Sequence, residues 1–206
     1  MKGYVWLWAM TAALSGFLFG FDTAVISGAE QALQREWAMD DFEHGLAMSA
    51  ALWGTVLGAL LCVIPNDAIG RKPTLMWIGL LYTVSAIGCA IAWDPVSFMV
   101  FRFLGGIGIG ASSIAAPIYI SEIAPKEQRG RLVALFQFNI VLGVLVAYTS
   151  NYFIAAVLPE GWRWMLAMAT IPALLYAAAT FAVPEAAVSR YILSPIASKP
   201  AGLMKV

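Results

Sequence analysis

The feature that most constrains this chain is a set of six apolar stretches, each long enough to cross a bilayer. A membrane-spanning helix needs about 20 consecutive, mostly apolar residues. Such runs lie at approximately Tyr4–Gly28, Gly45–Ile64, Thr74–Trp93, Val96–Ile120, Leu132–Leu158 and Trp164–Val183. Short polar connections edged by Gly and Pro separate them. A cleaved signal peptide would account for the first run alone. Five more follow it, so it reads as an uncleaved first span. A transmembrane β-barrel would alternate with a two-residue period in pieces of about 10 residues, and no such pattern occurs. The expected fold class is an all-α membrane protein with six transmembrane helices.

Composition agrees. The 206 residues are 61% hydrophobic and 12% charged, against about 45–50% and 25% in soluble domains. Too few polar side chains remain to cover a soluble globule, which excludes an ordinary cytosolic enzyme and a disordered chain. The 12 basic and 12 acidic residues cancel, so no basic field exists to hold a nucleic acid. Cys62 and Cys89 lie inside apolar runs and read as small packing residues, not as a disulfide or a metal site. No metal and no cofactor is expected.

Lys and Arg set the orientation. One side carries Lys2, Arg71, Lys72, Lys126, Arg129, Arg131, Arg190, Lys199 and Lys205, and the other only Arg35 and Arg163. Glu30, Glu36, Asp40, Asp41, Glu43, Asp94 and Glu160 fall on the Arg-poor side. Both termini are therefore expected in the cytoplasm. The segment from Glu30 to His44 becomes an acidic outer loop with a solvated His44.

Charges inside hydrocarbon cost at least a few kcal/mol, so they are paired, wet or functional. Only Asp22 in the first span and Arg102 in the fourth lie well away from span ends. At 1.5 Å per residue, Asp22 sits roughly 20 Å above the inner boundary. Arg102 sits roughly 9 Å below the outer one, again near 21 Å from the inside of a core about 30 Å thick. Equal height permits an ion pair. It would be either a structural bridge or a titratable carboxylate tuned by the nearby guanidinium.

Gly105, Gly106, Gly108 and Gly110 in the fourth span have the wrong spacing and context for a dinucleotide loop. Glycines four apart, as at Gly106 and Gly110, Gly54 and Gly58, and Gly16 and Gly20, let helix backbones approach closely in a membrane. The fifth span carries Gln137, Asn139, Tyr148, Asn151 and Tyr152. Amides in hydrocarbon must face other helices or a wet cavity. Gln137 and Asn139 cannot share one narrow face. At most one of them is expected to face a ligand, and the other a neighbouring helix.

The run Gly16-Phe17-Leu18-Phe19-Gly20-Phe21-Asp22-Thr23-Ala24-Val25-Ile26-Ser27-Gly28 resembles the first helix of sugar porters in the major facilitator superfamily. Gly58 followed by Asp67 and Gly70-Arg71-Lys72 resembles the superfamily's loop between helices two and three. Arg102 with its glycines is similar to the fourth helix. The segment Pro117-Ile118-Tyr119-Ile120-Ser121-Glu122-Ile123-Ala124-Pro125, then Arg129-Gly130, is similar to the next loop. Gly161-Trp162-Arg163-Trp164-Met165 is similar to the start of the sixth helix. The resemblance covers about residues 10–185.

It implies one half, the N-terminal six-helix bundle, of a transporter whose substrate lies between two such halves near the midplane. Residues 1–185 would form the bundle and 186–206 a cytoplasmic tail, disordered or aberrant where the family would continue into a Ser-Pro-Arg type sequence. Asp22 matches the proton-linked carboxylate of bacterial sugar–proton symporters, and Arg102 its partner. Facilitators of the family tend to carry a neutral residue there, so the acid favours proton coupling. Phe19 matches an aromatic that lies against the sugar, and Gln137 a glutamine that hydrogen-bonds its hydroxyls. The family's next glutamine is replaced by Val144. Asp67, Arg71, Glu122, Arg129, Arg131 and Glu185 match a cytoplasmic charge cluster that latches the halves in the outward-open state. Lys72 and Lys126 read as topology alone. Val63, in place of a second loop glycine, is expected to tighten packing near the fifth helix.

The resemblance thus implies transport of a hexose or pentose across a bacterial inner membrane, by proton-coupled symport with alternating access. The partners would be the sugar, the proton, the lipid bilayer, and a missing C-terminal half or a second copy. A non-transporting remnant and half of a uniporter-type facilitator are the alternatives. An intramembrane enzyme is disfavoured, since no His/Glu metal set and no nucleophile–base pair is present.

Overall fold

The computed structural model describes residues 2–158 and 161–184, so the proposed tail and Glu185 lie outside the described residues. Eight helices make six spans. They are α1 (Lys2–Glu36), α2 (Asp41–Leu61) continued by α3 (Val63–Ala68), α4 (Arg71–Ile91), α5 (Pro95–Ile123), α6 (Arg129–Val157), and α7 (Trp162–Met168) continued by α8 (Thr170–Phe181). The two interruptions have one cause. Pro65 and Pro172 lack the N–H that would reach the carbonyls of Leu61 and Met168, and the ladder breaks there.

The outer loop expected between Glu30 and His44 is mostly helix. Gln31, Ala32, Leu33, Gln34, Arg35 and Glu36 are good helix formers, and Ala29 and Leu33 are fully buried, so α1 runs on to Glu36. Asp40 then starts α2 with a capping box. Its Oδ1 accepts from the Glu43 N–H at 2.7 Å, and Glu43 Oε2 accepts from the Asp40 N–H at 3.4 Å. Asp94 and Ser97 repeat the device at α5. His44, expected to be solvated, is half-buried inside α2 instead. Val63 is exposed and tightens nothing.

Packing follows the glycines. With no hydrophobic force between helices in lipid, close backbone contact supplies the attraction. A Cβ on Gly20 would lie 1.9 Å from the Ile140 carbonyl oxygen, so α1 and α6 touch backbone to backbone. On the other side, a Cβ on Gly106 would lie 2.1 Å from the Ala51 oxygen, and one on Gly110 2.0 Å from the Thr55 oxygen, which docks α5 on α2. The remaining spans fill in around these two pairs, α4 against α5 and α8. Two core clusters stack along the bundle. One gathers Tyr119, Leu132 and Tyr176, and the other Leu33, Phe98 and Trp162.

Gly20→Ala and Gly106→Ala should lower the thermal midpoint of the detergent-solubilised protein, since forced overpacking costs about 1–3 kcal/mol. Gly45→Ala, where a Cβ meets nothing within 4 Å, should raise it through helix propensity by up to about 1 kcal/mol. Size-exclusion profiles after heating read both signs.

Candidate functional site

α1 and α5 cross at mid-bundle, and the crossing brings the two intramembrane charges together. Arg102 Nη1 donates to both Asp22 Oδ1 and Oδ2, each at 2.8 Å. The equal heights inferred from residue counting are realised as a salt bridge. Its two ends differ in environment: the guanidinium side chain is 5% exposed and the carboxylate side chain 16%. Arg102 is held in the interior, with its Nε buried and unpartnered, while Asp22 keeps an open edge.

The two residues matched to sugar contact lie near this pair in height. α1 and α6 run parallel, with Gly16 opposite Phe136 and Gly20 opposite Ile140. Phe19 and Gln137 consequently fall within about one helical turn of each other along the axis. Phe19 is half-buried against the core, and Gln137 is exposed on the flank of α6. Asn139 does not reach a neighbouring helix: its Nδ2 donates back to the Leu135 carbonyl at 2.8 Å. The interhelical amide is Asn151, which donates to the Val25 carbonyl of α1 at 3.0 Å.

A second charge group lies at the end of the bundle where α3 turns into α4. Gly70 takes φ 98°, which reverses the chain and sets Arg71 at the first position of α4. Arg71 Nη1 then meets Asp67 Oδ1 at 2.8 Å and the Asn66 carbonyl at 2.6 Å. Its Nη2 reaches Glu122 Oε1 at the end of α5 at 3.0 Å. Arg71 and Glu122 are 9% and 13% exposed, but Asp67 is 58% exposed. Of the six residues matched to the cluster, the structure joins these three. Arg129 and Arg131 are exposed at the start of α6 and make no ion pair among the described residues. Lys72 does more than mark topology. Its Nζ donates to the Phe181 carbonyl at 2.9 Å and holds the end of α8.

Sequence reading missed a clasp at the opposite end of the bundle. Glu36, at the end of α1, accepts from Trp162 Nε1 and pairs with Arg163 Nη2 at 3.2 Å. Arg163 also reaches the carbonyls of Ala90 and Ala92, at 3.2 and 2.7 Å, and lies 4.3 Å above the Trp162 ring. Trp37 packs edge-on against Trp162. The aromatic start of the sixth span was the available signal. Tyr82 and Ser112, hydrogen-bonded at 3.1 Å between α4 and α5, gave none.

Removing one member of a buried pair costs about 3–5 kcal/mol, whereas an exposed pair is worth about 0.2–1. Asp22→Ala should therefore lower the thermal midpoint strongly, and Asp22→Ala with Arg102→Met should recover most of the loss. Glu122→Ala should cost more than Asp67→Ala. Equal losses in the last two would mean that burial does not govern the cluster.

Comparison with known proteins follows this geometry. The family model described as "Sugar (and other) transporter" matches residues 8–194. A glucose transport protein of Synechocystis sp. is 43% identical over 202 residues, covering 93% of this chain and 43% of that protein. The D-xylose-proton symporter of Escherichia coli is 33% identical, with 94% and 45% covered. Among solved structures, the proton:xylose symporter XylE bound to 6-bromo-6-deoxy-D-glucose superposes with a TM-score of 0.87 at 32% identity, over 92% of this chain and 47% of that one. A partially occluded, inward-open form of the E. coli xylose transporter gives 0.84. The chain thus spans less than half the length of these relatives. They are transport proteins, which sets an intramembrane enzyme aside. An integral membrane chain built as the N-terminal six-helix bundle of the major facilitator fold, it belongs to the sugar transporter family.

Proposed function

We propose that this bundle serves proton-coupled sugar transport as one half of an alternating-access machine. The observation that carries the reading is the Arg102–Asp22 bridge with its exposure difference. An interior cation paired with a carboxylate that keeps an open edge suits an acid loaded and unloaded from a cavity. Relatives named as xylose-proton and arabinose-proton symporters support the proton. In this reading Asp22 is the proton site and Arg102 the charge that sets its affinity. Phe19 and Gln137 contribute the near wall of a site for a hexose or pentose.

The partner is a second six-helix half, either the C-terminal half or another copy, because rocking of two bundles around a shared site needs both. Arg71, Asp67 and Glu122, with Arg129, Arg131 and Glu185, form the latch on the cytoplasmic side. Residues 1–185 act as the bundle. Both termini lie in the cytoplasm of a bacterial cell with the bundle in its inner membrane, as the Lys and Arg bias indicates.

Two experiments check this. Cysteine placed at Asp40 should label from outside the cell and cysteine at Gln128 only from inside; the reverse would overturn the orientation. Reconstituted alone, the chain should not accumulate hexose or pentose above empty vesicles under a proton gradient. Two or three hydrogen bonds worth about 0.5–1.5 kcal/mol each cannot offset the cost of immobilising a sugar. Co-expression with a C-terminal half of a relative should restore uptake, and Asp22→Asn should abolish its gradient dependence. Uptake restored but gradient-independent with Asp22 intact would make this a facilitator half. No uptake with any partner half would make it a remnant.

A further inference from the structure

Arg102 does not spend all of its donors on Asp22. One nitrogen, Nη1, serves both carboxylate oxygens at 2.8 Å, whereas the strong pairing of arginine with a carboxylate uses two nitrogens as a fork. The Nε–H points to the side of the guanidinium away from Nη1. It is buried and donates to no atom among the described residues. Buried donors of this kind are ordinarily satisfied by protein or by ordered water.

The register of α4 on α5 identifies what lies beside it. Arg102, Gly105, Ile109 and Ser112 share one face of α5 by their three- and four-residue spacing. Ser112 Oγ meets Tyr82 Oη at 3.1 Å, and a Cβ on Gly105 would lie 2.3 Å from Ser85 Oγ. Further along, a Cβ on Gly88 would lie 2.2 Å from the Phe101 ring. The stem of Arg102 therefore leaves α5 facing the stretch of α4 from Ser85 to Gly88. Nε, the first nitrogen along that stem, stays closest to this face while Nη1 extends to α1. Ser85 carries the complementary surplus. Every other described serine donates to the carbonyl three residues before it, as Ser112 does to Ile109 and Ser113 to Gly110. Among the described residues the Ser85 hydroxyl has only Cys89 Sγ, at 3.9 Å. Ser85, Cys89 and Arg102 are each at most 4% exposed, so bulk solvent does not serve them.

We propose that Ser85 positions Arg102 through one internal water bound between α4 and α5. The water accepts the Nε–H and donates one hydrogen to Ser85 Oγ and the other to Cys89 Sγ, a weak acceptor. Three polar partners are what a buried water typically has. Held in this way, the guanidinium cannot turn about its stem, and Nη1 stays on Asp22. Ser85 is thus a positioning residue for the pair. Its value to transport rests on the proton-coupled reading, whereas the contact itself does not.

Nitrogen-15 magnetic resonance of the detergent-solubilised chain, labelled on arginine, tests it. The Arg102 Nε–H signal is identified by its loss in Arg102→Met. It should show a cross-peak to a bound water and exchange with solvent slower than the signals of the exposed Arg129 and Arg131 by roughly tenfold or more. Ser85→Ala should remove the water cross-peak and most of that protection. Ser113→Ala, whose hydroxyl is spent on Gly110, should change neither. Thermal midpoints give a second measure. Ser85→Ala should lower the midpoint by about 2–4 °C in the otherwise unaltered chain, and should have little effect in the chain carrying Asp22→Ala with Arg102→Met, which lacks the Nε–H. A water cross-peak that survives Ser85→Ala, or equal midpoint losses in both backgrounds, would overturn the positioning role. An Nε–H close to the Ser85 protons with no water cross-peak would overturn the water. These measurements are made on the bundle without sugar, so failure of uptake with every partner half would overturn the transport reading alone.

Discussion

One guanidinium joins the two halves of this bundle. Glycine contacts build a pair from α1 and α6 and another from α2 and α5, each held backbone to backbone. Van der Waals packing of this kind has little power to fix how one pair sits on the other, because apolar surfaces slide in lipid at low cost. Arg102 reaching Asp22 supplies the missing registration. Its two 2.8 Å contacts tie α5 to α1 at one height, and the cost of leaving either charge alone in hydrocarbon makes any other register expensive.

That bridge was legible in the sequence for the same reason. Ionisable residues inside apolar runs are rare enough to stand out, and counting residues from the span ends placed both at one depth. The spans and the small-residue contacts were legible too, since each depends on local spacing. Legibility failed at the span ends. Polar residues there carry no desolvation signal, so nothing distinguished Glu36 and Arg163, which pair across the end of the bundle, from ordinary solvated loop charges. Lys72 looked like topology because a long flexible side chain can reach several carbonyls, and only the fold selects that of Phe181. Asn139 misled in the other direction. An amide in hydrocarbon must find a partner, but the Leu135 carbonyl of its own helix was near enough to satisfy it.

The two ends of the bundle are closed by unequal means. At the end formed by α1, α5 and α7, Glu36 and Arg163 are 44% and 39% exposed, a range in which an ion pair contributes little by itself. Aromatic packing of Trp37 against Trp162 and Phe98 supplies most of the closure there. At the other end, Arg71 and Glu122 are nearly buried, and Arg71 also donates to the Asn66 carbonyl. Breaking that contact strands a buried charge, so it holds α4 to α5 firmly. Asp67, which pairs with the same guanidinium, is 58% exposed. The contact that fixes α4 on α5 is thus the buried one, and the exposed carboxylate adds little to it.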